Sequence, residues 1–372
     1  MTLDARARAA AQAIDRSATR LDPVAGLDDL VRRRRRRPVG KAAIAVATAT
    51  LVAVVALVGI RELQPPATVT QLPGSLGRVT ATIPVGFGPA DVLVSEGAVW
   101  VAADQGTVSR ADQGTISRID PATGTKTSGV GVGPAPRLAA GFRSIWAANN
   151  DPAGISVSRI DPQTGQVTAT IPIPVTAPAV KPTQLAVGAD SVWVIASNTT
   201  ANQLLRIDPT TNQAAAVDQV DEQMGSGITV AGGLVWISGR NDSGVSQLLR
   251  VNPATNRIAG PVPAAGDGAL AVGAGSLWQA GIATQTIYRL DPRSGRKLTE
   301  IPLGVVPQRL TAEDGSLLVG SPSGRVTRID MTTNRITGTF QVNGPAPAAA
   351  GGNGPVWIAD TTKAALLRVQ PG

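Results

Sequence analysis

One tryptophan-centred motif recurs along residues 78–371 and constrains the fold more than any other feature of the chain. An aliphatic residue followed by Trp occurs six times, at Trp100, Trp146, Trp193, Trp236, Trp278 and Trp357, and these are all the tryptophans present. Leu318 takes the same place in a seventh copy, within "GSLLVG". The copies average roughly 42 residues, and periods of about 40–45 residues made of short strands and turns are typical of propeller blades.

A second motif behind each tryptophan predicts how the strands of a blade are joined. It is an Arg-aliphatic pair usually followed by Asp-Pro, as in "RIDPATG" at 118–124. Proline presets φ for a turn, and a Gly or Asn then takes a positive φ. The predicted positive-φ residues are Gly124, Gly165, Asn212, Asn256, Gly295 and Asn334. Proline recurs in the strand that follows, so this strand is predicted to be the outer edge of its blade.

The two ends of the repeat region are complementary. The stretch "RVTATIPVG" at 78–86 matches "QVTATIPIP" at 166–174, so it is a fourth strand with no first three before it. The last copy has three strands and no fourth. We therefore predict an all-β fold, a seven-bladed β-propeller over 78–372 in which the N-terminal strand closes the last blade.

One blade contains a tandem duplication, "ADQGTVSRADQGTISRIDP", at 103–121. Asp-Pro follows the second unit directly, so the second unit is predicted to form the third strand of its blade. The first unit, 103–110, is predicted to loop out or to lengthen a surface hairpin, where insertions are tolerated.

The N-terminal region has a different character. Residues 1–41 carry eleven Arg or Lys against five acids, including six consecutive arginines at 32–37. Residues 42–60 are uncharged and long enough to span a bilayer, so we predict a single transmembrane helix at 42–61. The positive-inside rule leaves 1–41 as a basic cytoplasmic stub and places the propeller outside the cytoplasm, in a single-pass protein of the cell membrane. Residues 62–77 are predicted to be an extended linker.

Charge and composition narrow the function classes. The 331 residues after the stub have 23 basic and 21 acidic side chains, so the propeller lacks the basic excess of a nucleic-acid-binding domain. The chain contains no Cys and no His. It therefore lacks thiolate nucleophiles, disulfides, and the commonest metal ligand and neutral-pH general base. The sequence predicts no cofactor, no metal site and no catalytic residue.

The motifs "GAVWVAA", "RIDPATG" and "VTATIPVG" together resemble the YVTN-type and streptogramin-lyase-like (virginiamycin B lyase-like) β-propellers. The basic tail and anchor are similar to those of membrane-tethered actinobacterial propellers. The resemblance covers 78–371 and implies the fold more than an activity. Chemistry in the lyase family relies on a histidine base, which this chain lacks, so no catalytic position is transferred.

Candidate ligand residues come from the position nine residues before each tryptophan, at the start of the first strand of a blade. Across the seven copies this position holds Asp91, Arg137, Gln184, Gly227, Ala269, Arg309 and Ala348. Asp91, Arg137, Gln184 and Arg309, with Lys181 in a nearby loop, predict a carboxylate- or phosphate-binding cluster at the mouth of the propeller. The alternative is that these side chains line a wet channel and neutralise one another.

The predicted function is that of a membrane-tethered, non-catalytic binding or scaffold module. Its expected partner is an envelope protein, a peptide or a small anionic ligand. The stub is expected either to be solvated or to dock a cytoplasmic partner. A metal-assisted lyase or hydrolase is the alternative, disfavoured by the absence of histidine.

Overall fold

The computed structural model of this protein describes residues 74–86, 88–104, 114–133, 137–151, 154–174, 181–197, 202–220, 224–241, 243–344, 348–351 and 354–371. All of them belong to one compact unit, Val69–Gly372. The predicted stub (1–41), transmembrane helix (42–61) and most of the predicted linker (62–73) lie outside the described residues. Within the described ranges, no helix is long and apolar enough to cross a membrane.

The described residues form twenty-eight strands in seven four-stranded antiparallel sheets, and each sheet is one blade of a propeller. Blade 1 consists of β2 (Gly88–Ser95), β3 (Ala98–Asp104), β4 (Gly114–Ile119) and β5 (Lys126–Val132); blade 2 of β6 (Arg137–Gly141), β7 (Ser144–Asp151), β8 (Gly154–Ile160) and β9 (Val167–Pro172); blade 3 of β10 (Lys181–Gly188), β11 (Ser191–Ser197), β12 (Asn202–Asp208) and β13 (Gln213–Val220). Blade 4 consists of β14 (Met224–Ala231), β15 (Leu234–Arg240), β16 (Ser246–Asn252) and β17 (Arg257–Pro263); blade 5 of β18 (Leu270–Gly273), β19 (Ser276–Gly281), β20 (Thr286–Leu290) and β21 (Lys297–Pro302); blade 6 of β22 (Arg309–Glu313), β23 (Ser316–Gly320), β24 (Arg325–Asp330) and β25 (Arg335–Gln341). Blade 7 consists of β26 (Ala349–Ala350), β27 (Val356–Asp360), β28 (Ala365–Gln370) and β1 (Arg78–Pro84).

Blade 7 closes the ring by joining the two ends of the repeat region. Its strand order is β1-β28-β27-β26, with β1 antiparallel to β28 from Arg78 opposite Gln370 to Pro84 opposite Ala365. The predicted seven-bladed fold and its closure by the N-terminal strand are therefore confirmed. The Arg368 guanidinium also donates a hydrogen bond to the Ala122 carbonyl of blade 1 at 3.4 Å, which ties the last blade to the first.

The last residues of the predicted linker lie against blade 6. The Leu76 N–H donates to the Thr339 carbonyl at 2.7 Å, and the Thr339 N–H donates to the Gly74 carbonyl at 3.3 Å. The Leu76 side chain is buried in a cluster with Leu318 and Val342. The chain thus touches the outer strand of blade 6 before it enters blade 7.

The repeated tryptophans pack each blade onto the next one. Trp193 of blade 3 is fully buried among Ile228, Val235 and Val251 of blade 4. Its indole Nε1 donates to the Gly188 carbonyl of its own blade at 3.1 Å. The same arrangement crosses the closure, where Trp357 of blade 7 shares a cluster with Val99, Val101 and Ile119 of blade 1. Each tryptophan therefore removes apolar surface from water at a junction between blades.

The repeated arginines bind the same junctions with hydrogen bonds. The Arg206 guanidinium donates to the Ser191 hydroxyl of its own blade at 2.6 Å. It also donates to the Pro253 carbonyl and the Asn256 Oδ1 of blade 4, at 2.7 and 3.0 Å. Its Cζ lies 5.2 Å from the centre of the Trp193 ring, within cation–π range. Arg159 and Arg289 make the equivalent contacts in blades 2 and 5.

The Asp-Pro turns have the predicted backbone. Positive φ occurs at every predicted position: Gly124, Gly165, Asn212, Asn256, Gly295 and Asn334. In one such turn the Asp208 carboxylate accepts the N–H groups of Thr210 and Thr211 at 2.7 and 3.2 Å. These backbone hydrogen bonds lower the pKa of Asp208, and similar bonds lower the pKa of its equivalents Asp120, Asp161, Asp291 and Asp330.

The duplicated segment is divided between two strands of blade 1. Strand β4 begins at Gly114, inside the second unit, and Asp120-Pro121 follows it, as predicted. Strand β3 ends at Asp104, the second residue of the first unit. The remainder of the first unit, 105–110, lies outside the described residues.

Candidate functional site

The innermost strands of the blades surround a cavity of about 540 Å³ on the propeller axis. Every blade contributes at least one residue to the described wall, from Asp91 in blade 1 to Ala348 in blade 7. Pockets for small-molecule ligands commonly measure roughly 300–1,000 Å³. The cavity therefore has the size of a ligand site and lies where all seven repeats converge.

Four of the five candidate residues come together on this wall. Asp91, Arg137, Gln184 and Arg309 all line the cavity, on the inner strands of blades 1, 2, 3 and 6. Lys181 was predicted in a loop, but it is the first residue of β10, because its pairing with Ser197 extends that strand. Ligand binding by these residues stays a prediction.

Asp91 connects three blades across the cavity wall. One of its carboxylate oxygens lies 3.7 Å from Nη1 of Arg309 in blade 6. The other accepts the Leu138 N–H of blade 2 at 3.0 Å. Both oxygens of Asp91 are thus engaged by the protein, and its charge is directed at Arg309.

The electrostatic environment of Arg309 disfavours its positive charge. Burial lowers the pKa of Arg309, the carboxylate of Asp91 opposes that shift, and the nearby charge of Arg137 lowers it further. Because arginine keeps its proton in proteins, two guanidinium charges face one carboxylate here. The charged lining residues therefore leave a net positive charge, which an anion in the cavity would balance.

The opposite side of the cavity is mostly apolar, and apart from Ala269 its residues were not predicted from the sequence. Blades 4 and 5 provide Ile228, Ala269, Leu270, Val272 and Ile282. Val272 and Ile282 keep 43% and 38% of their surface exposed, although both are large aliphatic residues. The candidate residues were chosen by polarity at one position in each blade, so aliphatic wall residues at other positions were not among them.

A buried polar network holds this apolar wall in place. The Asp267 carboxylate accepts the Ile282 N–H at 2.9 Å and the Arg240 Nε–H at 2.7 Å. The Gln279 amide donates to the Gly266 carbonyl at 2.7 Å and accepts the Gly266 N–H at 3.1 Å. These bonds fix the loop between blades 4 and 5, so the wall is organised before any ligand arrives.

Glu313 lies four residues beyond Arg309 on the same inner strand. Its carboxylate accepts the Gly351 N–H of blade 7 at 2.5 Å and is also hydrogen-bonded by the backbone of Val94 in blade 1. Burial raises the pKa of Glu313 to about 7, and these two backbone bonds only partly offset the effect of burial. Glu313 therefore joins blades 6, 7 and 1 beside β26, the two-residue inner strand of blade 7.

The carboxylates of the propeller are dispersed. Within the described ranges, no group of three or more acidic side chains is positioned to hold a metal ion. Asp91 is the one acid among the described lining residues. Two guanidinium groups beside a single carboxylate are an arrangement that can bind an anion.

Comparison with known proteins bears on the fold alone. No family model matches the chain, and no curated protein matches it. Among solved structures 1422 chains are similar. One is a computationally designed protein, Ika8, with a TM-score of 0.56 and 13% sequence identity over 79% of this chain and 100% of the designed one.

Proposed function

We propose that this chain is a membrane-tethered propeller that binds a small anionic ligand in its axial cavity without transforming it. The observation that carries the proposal is the pair of guanidinium groups on the cavity wall. Arg309 is matched by Asp91, whereas Arg137 forms no ion pair with another described residue. A carboxylate or phosphate oxygen would accept hydrogen bonds from Arg137 and neutralise the remaining charge.

The engagement of Asp91 favours binding over catalysis. A general base needs a free carboxylate oxygen within hydrogen-bonding distance of the substrate proton. Asp91 already interacts with Arg309, with the Leu138 N–H and with its neighbour Val92, whose N–H lies 3.1 Å away. Its geometry is that of a positioning residue for Arg309.

The binding proposal is tested with acetate and inorganic phosphate as probes. Full-length protein in lipid nanodiscs is titrated by calorimetry, and empty nanodiscs are subtracted. Removing a charged hydrogen-bond donor is worth about 1.5–3 kcal/mol, so Arg137→Gln should weaken binding of at least one probe roughly ten- to hundredfold. Arg257→Gln, the same change on the exposed outer strand β17, should leave affinity unchanged. Equal affinities in the two variants, or no saturable binding, would contradict the proposal.

The tether is proposed from the sequence of residues 32–61. Six arginines precede a charge-free stretch of membrane-spanning length, which favours a retained anchor with the propeller outside the cytoplasm. The repeat motifs further lead us to propose kinship with YVTN-type and streptogramin-lyase-like propellers in a membrane-anchored form.

The anchor has its own test. After washing of membranes with about 1 M salt, we expect the full chain to remain in the membrane fraction, because salt screens charges but does not extract an apolar helix. A variant lacking residues 42–61 should be in the aqueous phase. Release of the full chain by salt would show that the segment does not anchor it.

A further inference from the structure

The two sides of the axial cavity differ in chemistry, and the difference follows the order of the blades. Blades 6, 1 and 2 supply the charged residues Arg309, Asp91 and Arg137. Blades 4 and 5, across the ring, supply no charged residue to the described lining, which there is aliphatic or small apart from the polar Ser226. A ligand that touches both sides therefore meets a cationic surface at one end and an apolar surface at the other.

The apolar side presents more hydrophobic surface to the cavity than its packing requires. Among the described residues, six large hydrophobic side chains are exposed: Val79, Phe142, Val245, Val272, Ile282 and Leu298. Two of the six, Val272 and Ile282, belong to the wall of this one cavity. Exposed aliphatic groups that line a concave site are a common mark of ligand contact.

The apolar side is also held rigidly. The Asp267 carboxylate, itself buried, fixes the backbone of Ile282, and the Ser238 hydroxyl donates to the Gly268 carbonyl at 2.6 Å. Because these groups hold the loop from inside the protein, the wall cannot easily close over its own aliphatic side chains. A preformed wall of this kind favours a ligand that supplies the missing apolar contact.

We infer that the ligand of the cavity is an amphipathic monoanion, a carboxylate with an apolar body of a few carbon atoms or one ring. The inference rests on the proposed function and specifies its ligand class. The carboxylate lies against Arg137 and Arg309, and the apolar body lies against Val272 and Ile282. One net positive charge on the lining calls for one negative charge on the ligand, and a cavity of about 540 Å³ accommodates a small molecule.

The inference is tested with a series of straight-chain carboxylates. Full-length protein in nanodiscs is titrated with acetate, butanoate, hexanoate and octanoate, with octanamide as the uncharged control; nanodiscs replace detergent, which is itself amphipathic. Each fully buried methylene strengthens binding by about fourfold, so hexanoate should bind at least tenfold more tightly than acetate. Octanamide should bind at least tenfold more weakly than octanoate.

Two variants separate the inference from the proposed function. Val272→Ser should remove most of the gain in affinity with chain length, whereas Val245→Ser, at an exposed site away from the cavity wall, should leave both acetate binding and that gain unchanged. Arg137→Gln should weaken every carboxylate alike. Equal affinity along the series would overturn the inference but leave anion binding intact, whereas carboxylate binding unaffected by Arg137→Gln would overturn the proposed function itself.

Discussion

A chain that begins at Val85, and so lacks β1, is expected to unfold at a temperature at least ~10 °C below that of a chain that begins at Arg78 and keeps β1. Loss of β1 leaves blade 7 with three strands and exposes the backbone groups of β28 that pair with it. It also opens the cluster in which Ile83 packs with Trp357 and Leu366. A loss of several kcal/mol shifts the midpoint by this amount, at about 2–4 °C per kcal/mol for domains of 150–250 residues.

Point variants in the full chain isolate the packing of β1 from its presence. Ile83→Asp places a carboxylate in the buried cluster, and we expect it to lower the midpoint nearly as far as the truncation does. Thr82→Asp is the matched control, because Thr82 is exposed on the same strand. A synthetic peptide of residues 78–86 added to the truncated chain should restore part of the lost stability. If the truncated chain melts together with the longer one, closure by β1 is not what stabilises the ring.

Glu313→Gln is expected to raise the free energy of unfolding at pH 8 by roughly 3 kcal/mol. Burial raises the pKa of Glu313 from 4.5 to about 7, and a pKa difference of one between the folded and unfolded states corresponds to about 1.36 kcal/mol. The stability that this raised pKa contributes is fully present below pH 4.5, where Glu313 is protonated in both the folded and the unfolded state. That stability is lost as the pH rises from 4.5 to 7, because the unfolded chain ionises first.

The measurement is a set of denaturant titrations of both proteins between pH 4 and pH 8. Wild-type stability should fall relative to that of Glu313→Gln across the interval from pH 4.5 to 7, and the two should run parallel outside it. The amide side chain of the Glu313→Gln variant keeps an oxygen that can accept the Gly351 N–H, so the substitution removes the charge and retains the contact. Asp190→Asn, at an exposed turn of blade 3, is the control and should follow the wild type. Parallel curves throughout would refute a role for Glu313 ionisation.

The fold could be predicted because each repeat marks one blade, so counting the repeats gives the number of blades. Each blade needs one residue large enough to fill the junction with its neighbour, and Trp or Leu318 marks that residue in every copy. The turn residues were equally informative, since a positive φ favours Gly or Asn, as at Gly165 and Asn212. The unpaired fourth strand at 78–84 could then pair only with the last blade, which has three strands of its own.

The site was predictable only where position and polarity coincided. The residue nine before each tryptophan lies at the start of an inner strand, so Asp91, Arg137 and Arg309 converge once the ring closes. Glu313 was not predicted as a site residue, because it lies farther along the same strand, where its role depends on how short β26 is. Val272 and Ile282 were not predicted as site residues, because aliphatic residues are abundant in the chain and only the structure shows which of them remain exposed.

The contact of residues 74–76 with Thr339 has a mechanical consequence for a chain held at its N-terminal end. Strand β1 pairs with β28 starting at Arg78, so tension applied through the proposed tether would act first on the Arg78–Gln370 pair and then separate the two strands pair by pair. The hydrogen bonds of Gly74 and Leu76 to blade 6 come before that first pair along the chain, so they would be loaded first. If the proposed tether is present, a pull on it would load a neighbouring sheet before it reaches the strand that keeps the ring shut.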